Sequence, residues 1–254
     1  MYKYFSTILL IVIISHEIQA QIINIEDRRV ALGDSVTFKG FGDLGLNLYR
    51  NDKQTTTAKA SLQLEYKHQK HFALLLSGYN LIHTEGATNV LNDGFVHLRY
   101  NYDLSKHWVY EAFSQGQYNE RTRILFRGLI GTGIRIKIKH GKTQRYYIGL
   151  SYLFESNQFK DNTLRQEDHR LSGYLSYNIA FSNKSRLVHT TYLQPRLNDW
   201  QNIRVSSEAS LLFNISKHLI FRSTFNTAYD SDPRLPASVP DWIYTFTNGL
   251  RFEF

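Results

Sequence analysis

The chain has 254 residues, of which 42% are hydrophobic, 20% charged and 14% aromatic, and a formal charge of +8; it is too aromatic and too sparsely charged to be disordered. Mean hydropathy is −0.37, and no stretch beyond the first residues reaches the ~18 consecutive apolar residues of a membrane helix, which excludes a helical membrane protein. Cysteine is absent, so disulfide frameworks, thiolate metal sites, cysteine nucleophiles and an acylated N-terminal cysteine are excluded as well.

The first segment reads as an address. Lys3 precedes an apolar run from Phe5 to Ile14, then polar Ser15, His16 and Glu17, then Ala20 before Gln21. A basic start, an apolar run too short to span a bilayer and a small residue at its end predict a signal peptide over 1–20, cleaved after Ala20. An exported chain without cysteine suits a bacterial envelope protein held together without disulfides. Residues 21–35, with Glu26, Asp27, Arg28 and Arg29, read as a polar periplasmic lead-in.

From Val36 the dominant period is two. Side chains alternate across a strand, so each such stretch has an apolar and a polar face. Ala58, Ala60, Leu62, Leu64 and Tyr66 oppose Lys59, Ser61, Gln63, Glu65 and Lys67. Val96, Leu98, Tyr100 and Tyr102 oppose His97, Arg99, Asn101 and Asp103. In the stretch 124–139, the row Ile124, Phe126, Ile130, Ile134, Ile136 and Ile138 opposes Arg127, Arg135, Lys137 and Lys139. The same alternation sets Tyr146, Ile148, Leu150 and Tyr152 against Ser151 and Glu155. It sets Leu171 and Leu175 against Arg170 and Ser172, Val205 and Ala209 against Arg204 and Glu208, and Tyr244 and Phe246 against Thr245, Thr247 and Arg251.

This spacing predicts strands near 36–50, 55–68, 71–84, 94–104, 108–119, 122–139, 144–157, 168–181, 186–197, 201–215, 219–230 and 241–254. Most are longer than the ~5–6 residues of a soluble strand. Connections alternate between tight turns, such as Gln69-Lys70 and Ser216-Lys217, and longer loops over 85–93, 158–167 and 231–240. The expectation is an all-β fold, a closed antiparallel transmembrane β-barrel of about twelve strands over 36–254, with both termini on the short-turn, periplasmic side. In-strand Gly40, Gly42, Gly45, Gly131 and Gly133 suggest close approach or curvature. A soluble sandwich would put the apolar face inside; repeated mid-strand Arg, Lys, Glu and His argue instead for a polar interior. Arg99, Glu111, Arg127, Arg135, Lys137, Glu155, Arg170, Glu208 and Arg251 are the charges expected to face it, and aromatic Phe254 ends the chain as an assembly signal.

Several segments carry a resemblance. Asp93-Gly94-Phe95-Val96-His97-Leu98-Arg99-Tyr100-Asn101-Tyr102, Glu111-Ala112-Phe113 with Gln115-Gly116-Gln117-Tyr118-Asn119, Arg127 to Arg135, and Tyr229-Asp230-Ser231-Asp232-Pro233 before Thr247-Asn248-Gly249-Leu250 occur in that order. Together they resemble domain-of-unknown-function family 481, the salt-induced outer-membrane proteins, in a form like that of Bacteroidetes bacteria. The resemblance implies an outer-membrane barrel and supplies no activity or catalytic residues.

The search for chemistry is mostly negative. No His-x-Ser pair occurs; His189-x-Thr191 is the nearest approach to the pair of barrel lipid hydrolases. Asp230-x-Asp232 and Glu167-Asp168-His169 lie at expected loop-side strand ends, where carboxylates and a histidine in one cleft would activate water, but on non-neighbouring strands. His68, His71, His107 and His218 are scattered at turns and make no ligand set. The expectation is a non-enzymatic barrel, structural or a narrow passive channel for small solutes. The alternatives are a rim hydrolase built on Asp168, His169, Asp230 and Asp232, or a receptor surface on loops 158–167 and 231–240 anchored by Trp200 and Trp242. Expected partners are outer-membrane lipid, lipopolysaccharide and the barrel assembly machinery, with no nucleic acid, metal or cofactor. The excess Lys and Arg are spread along the chain and read as solvated or paired charge.

Overall fold

A computed structural model of the chain describes residues 37–252, apart from 87–90, 142, 161, 217–218 and 233–239. The expected signal peptide, the lead-in and Phe254 lie outside the described residues. Among the described residues twelve strands follow one another: β1 (Thr37–Arg50), β2 (Gln54–His68), β3 (His71–Thr84), β4 (Leu91–Asp103), β5 (Trp108–Asn119), β6 (Ile124–His140), β7 (Gln144–Phe159), β8 (Asn162–Ala180), β9 (Ser185–Arg196), β10 (Asp199–Asn214), β11 (Leu219–Asp230) and β12 (Trp242–Phe252). They form one antiparallel sheet in sequence order, each strand hydrogen-bonded to the next. Among the described residues no ladder joins β12 back to β1, so the expected closure is not drawn in the hydrogen bonds.

The sheet is strongly curled. Strands lie ~4.8 Å apart, so those three positions apart would be separated by roughly 14 Å in a flat sheet. Yet Arg204 of β10 donates to Glu155 of β7 at 2.6 and 2.7 Å, and the Tyr174 hydroxyl of β8 donates to Glu111 of β5 at 2.7 Å. Side chains meet over that sequence distance only across the hollow of a curved sheet. The face carrying them is therefore concave.

The alternation expected from the sequence maps onto the two faces. On β4, His97 and Arg99 are buried while Val96 and Leu98 are about half exposed. On β6, Arg127 and Arg135 are 1% exposed, against 58% for Ile130 and 56% for Ile138. Ile124 departs from its row: a bulge between Ile124 and Phe126 breaks the register with β7, and Ile124 is buried.

One connection differs from expectation. The stretch 158–167 is not an open loop, since β7 runs to Phe159 and β8 begins at Asn162, pairing Ser156 with Glu167 and Asn157 with Gln166. The ladder holds this extension together with a bond from the Arg165 side chain to the Ser156 hydroxyl. Its sequence is mostly polar and shows no apolar alternation.

Two glycines let aromatic rings lie flat on the concave wall. A Cβ on Gly131 would overlap the Phe113 ring, and one on Gly149 would overlap the Tyr174 ring. Gly149→Leu is expected to displace Tyr174 and to cost ~1–3 kcal/mol or more of overpacking strain. Gly249→Ala, with nothing within 4 Å of its Cβ, is expected to behave as the parent. Urea unfolding of the two refolded variants checks the contrast.

Candidate functional site

The concave face carries the chemistry, in two charge clusters stacked along the hollow. The inner one centres on Glu111. Arg99 of β4 and Arg135 of β6 flank β5 on either side, and their guanidinium groups lie 3.8 and 3.6 Å from the same Glu111 oxygen. Asn101 donates to that carboxylate at 3.1 Å and Tyr174 at 2.7 Å. Arg135 also stacks on Tyr147, 3.7 Å from the ring centroid, and Arg99 lies 5.1 Å from the Phe113 centroid. Glu111 is fully buried, and an ionised carboxylate there is tolerable only because it is paired and hydrogen-bonded.

The second cluster sits nearer the loop-side ends. Arg204 spans from Glu155 to Asp230, with Nε 2.5 Å from the Asp230 carboxylate. Arg127 lies 3.7 Å from Glu155 and donates to Asn157 at 2.6 Å. Arg170 is 3.8 Å from both Asp168 and Asp232 and donates to Asn202 Oδ1 at 2.7 Å. Arg196 joins Asp168 at 3.5 Å to Asp199 at 2.6 Å. Asp232 follows β11, so the start of that connection tucks into the mouth of the hollow.

Apolar side chains also point inward. Leu74, Leu76 and Phe95 form one cluster with Phe72, and Phe113, Leu129 and Leu153 another. The hollow between β3 and β8 is therefore packed with side chains.

Of the charges singled out from sequence, Arg99, Glu111, Arg127, Arg135, Glu155 and Arg170 are buried on the concave face. Lys137 lies toward the short-turn end and pairs with Asp103 at 2.7 Å. Glu208 is partly buried. Arg251 is placed in β12 opposite Ile220, and its side chain lies outside the described ones. The sequence sets Arg204 on the polar face of its strand without singling it out, and gives no role to Tyr174 or Asn202. Arg204 and Tyr174 share the parity of the charges on their own strands, which is the signal that marks them as inward-facing.

The rim-hydrolase constellation does not assemble. Its two clusters lie on non-neighbouring strands, as the sequence places them, and the curl brings Asp168 and Asp232 together on Arg170. His169, next to Asp168, points to the opposite face as alternation requires; it contacts the Tyr152 hydroxyl and lies against the Phe154 ring. The carboxylates are engaged by arginines and the histidine faces away from them. On the convex face His189 Nε2 lies 2.9 Å from Ser207 Oγ and 3.1 Å from Thr191 Oγ1. Among the described residues its Nδ1 has no hydrogen-bond partner, so nothing there fixes the ring as a general base. No group of three or more metal-ligating side chains occurs among the described residues. The expected receptor loop 158–167 is the tip of the β7–β8 hairpin; Trp200 and Trp242 are 60% and 62% exposed.

The family model described as a protein of unknown function, DUF481, matches residues 42–252. No curated protein sequence matches. Among solved structures, the NanC porin superposes with a TM-score of 0.50 at 12% identity, covering 86% of this chain and 98% of the porin. The translocator domain of the autotransporter NalP from Neisseria meningitidis gives a TM-score of 0.44 at 10% identity, over 91% and 92% of the two chains. The porin likeness establishes a common fold.

The Arg204–Glu155 bridge generates a double-mutant test. Glu155→Leu leaves Arg204 with Asp230, and Arg204→Leu leaves Glu155 with Arg127 at 3.7 Å, so each is expected to cost less than the ~3–5 kcal/mol of a fully stranded buried charge. The double variant is expected to cost clearly less than the sum, with a coupling of ~0.5–3 kcal/mol. Urea titration of the refolded proteins measures all three.

Proposed function

This chain belongs to the DUF481 family, a family of unknown function, and on that premise we propose that it is an outer-membrane β-barrel acting as a narrow, passive, non-enzymatic channel for small solutes. The observation that carries this reading is the inversion of the two faces. Five arginines, Arg99, Arg127, Arg135, Arg170 and Arg204, are at most 1% exposed on the concave side. Leu98, Ile130, Leu150, Leu193 and Phe246 stand at least half exposed on the convex side. A soluble sheet hides its apolar face; a sheet wrapped in lipid shows it.

Other features support the same reading. Every strand has at least the 11 residues of β12, enough for a tilted strand to cross the hydrocarbon layer. Exposed aromatics gather near both ends of the strands, with Trp108, Phe181 and Phe213 toward the short turns and Tyr49, Trp200 and Trp242 toward the loops, as in interfacial belts. Within hydrocarbon, unpaired backbone groups along β1 and β12 would cost several kcal/mol each. The barrel of this proposal is therefore closed by pairing β12 with β1. Its export signal is the 1–20 segment.

The bore of such a barrel is held narrow by the Glu111 and Glu155 clusters. Planar-bilayer recording of refolded protein tests this. The expected result is small, reproducible conductance steps, enlarged when Glu155 and Arg204 are both replaced by Ala; a silent bilayer containing folded protein would assign the barrel a structural role instead. Facing supplies a second test. Ile134→Arg puts a cation in lipid, costing ~2–4 kcal/mol at the midplane. Arg135→Ile removes one partner of Glu111, which keeps Arg99, Asn101 and Tyr174. Heat-modifiable migration is expected to show Ile134→Arg failing to assemble more often than Arg135→Ile, and equal assembly of the two would sink the assignment of faces.

A further inference from the structure

A groove of about 840 Å³ crosses the convex face over β1 to β6. That volume falls within the ~300–1,000 Å³ range of small-molecule sites. Its floor is made by residues too small to fill it, Gly42, Gly94 and Gly116, and its walls by Tyr79, Tyr118 and Phe126. The ladder explains the hollow. Tyr79 pairs with Gly94 and Gly94 with Tyr118, while Val96 pairs with Gly116 and Gly116 with Gly128. The Tyr118 ring leans over Gly94, where a Cβ would come within 2.7 Å of it, and the backbone stays open at Gly42 and Gly116. Gly94 lies three residues inside the loop-side end of β4 and Gly116 three inside that of β5, so the groove belongs to the loop-side half of the face.

The rim above its Tyr118 and Phe126 wall is cationic. The β5–β6 turn, residues 120–123, carries exposed Arg121. Lys160 of the next hairpin is tied to this turn by a backbone bond to the Arg123 carbonyl at 2.8 Å. The turn's carboxylate, Glu120, lies 4.0 Å from Lys160, whose side chain remains 62% exposed. An apolar, aromatic-walled trough beneath exposed cations is complementary to one kind of molecule available at that depth: an acylated lipid with an anionic phosphate headgroup.

We infer that the groove over β1 to β6 binds a phosphorylated, multiply acylated lipid of the outer leaflet, of lipopolysaccharide type, with an acyl chain lying along the Tyr118 ring and over Gly116 and a phosphate at Arg121 and Lys160. The inference rests on the outer-membrane reading of the barrel and deepens it by naming a lipid and its place. The chain packs against Tyr118 and Phe126, and Arg121 and Lys160 fix the headgroup at the rim. Neither element touches the charge clusters of the bore.

Native mass spectrometry of the full refolded chain in detergent, titrated with bisphosphorylated hexa-acyl lipid A, tests it. Dephosphorylated lipid A and a zwitterionic phospholipid serve as the other probes. A Cβ on Gly116 would sit 3.6 Å from the Phe126 ring, an ordinary contact, so Gly116→Leu fills the groove without a backbone clash. Gly116→Leu is expected to weaken lipid A binding about tenfold or more, equivalent to ~1.4 kcal/mol. The double change Arg121→Glu with Lys160→Glu is expected to abolish the preference for the phosphorylated over the dephosphorylated lipid. Binding unchanged in both variants, or equal retention of the zwitterionic phospholipid, overturns the inference. Heat-modifiable migration of each variant verifies the fold. A wild type that folds but never inserts into bilayers defeats the outer-membrane reading, whereas insertion with lipid binding indifferent to Gly116→Leu defeats the groove alone.

Discussion

Buried charge has to be neutralised where it is buried, and that requirement shapes the concave face. An arginine removed from water is tolerable only beside a carboxylate with its remaining hydrogen bonds satisfied. Adjacent strands meet part of the need, as when Arg99 and Arg135 flank Glu111. The rest is met across the hollow, by Arg204 reaching Glu155 and Tyr174 reaching Glu111. Those reaches require curvature, and curvature is what separates a crowded polar concave face from an open apolar convex one. The glycines serve the same end, because Tyr174 comes down toward Glu111 over a residue with no Cβ at Gly149.

The two clusters differ in what they join. Glu111 draws on β4, β5, β6 and β8, whereas the Arg204 and Arg170 cluster ties β6 to β11 and takes in Asp232 from the connection after β11. The inner cluster braces one wall. The loop-side cluster braces the half of the sheet from β6 to β11 and ties the start of the connection after β11 into the hollow. A group bound there would compete for arginines that also hold the strands in place.

Much of this was legible in the sequence, for a definite reason: a strand has a period of two, and a face in contact with lipid has to be apolar at every second position. Val96 to Asp103 and Ile134 to Lys139 display the rule without interruption, and the strands fall where the rule puts them. It fails where its premise fails. Beyond the apolar band both faces are polar, so Asn162 to Glu167 carry no alternation although their backbone continues the ladder. A bulge resets parity at Ile124. Leu74, Leu76 and Leu129 point inward as apolar residues among charged neighbours, which no two-letter pattern distinguishes from those on the convex face. Partnership between distant strands, as between Asp168 and Asp232 on Arg170, depends on curl, and curl is not written in any single stretch.

The meander order has a kinetic meaning. Because the ladders among the described residues join β1 to β12 in succession, each of them closes a short loop, and the entropy of closure stays low at each addition. The Glu155–Arg204 bridge is different: its partners are 49 residues apart, and it is available only once β8, β9 and β10 have joined β7. Growth of the sheet can therefore proceed hairpin by hairpin with its charged wall still wet. Dehydration of that wall comes late, as a single tightening that turns a flexible ribbon of hairpins into a body of fixed girth.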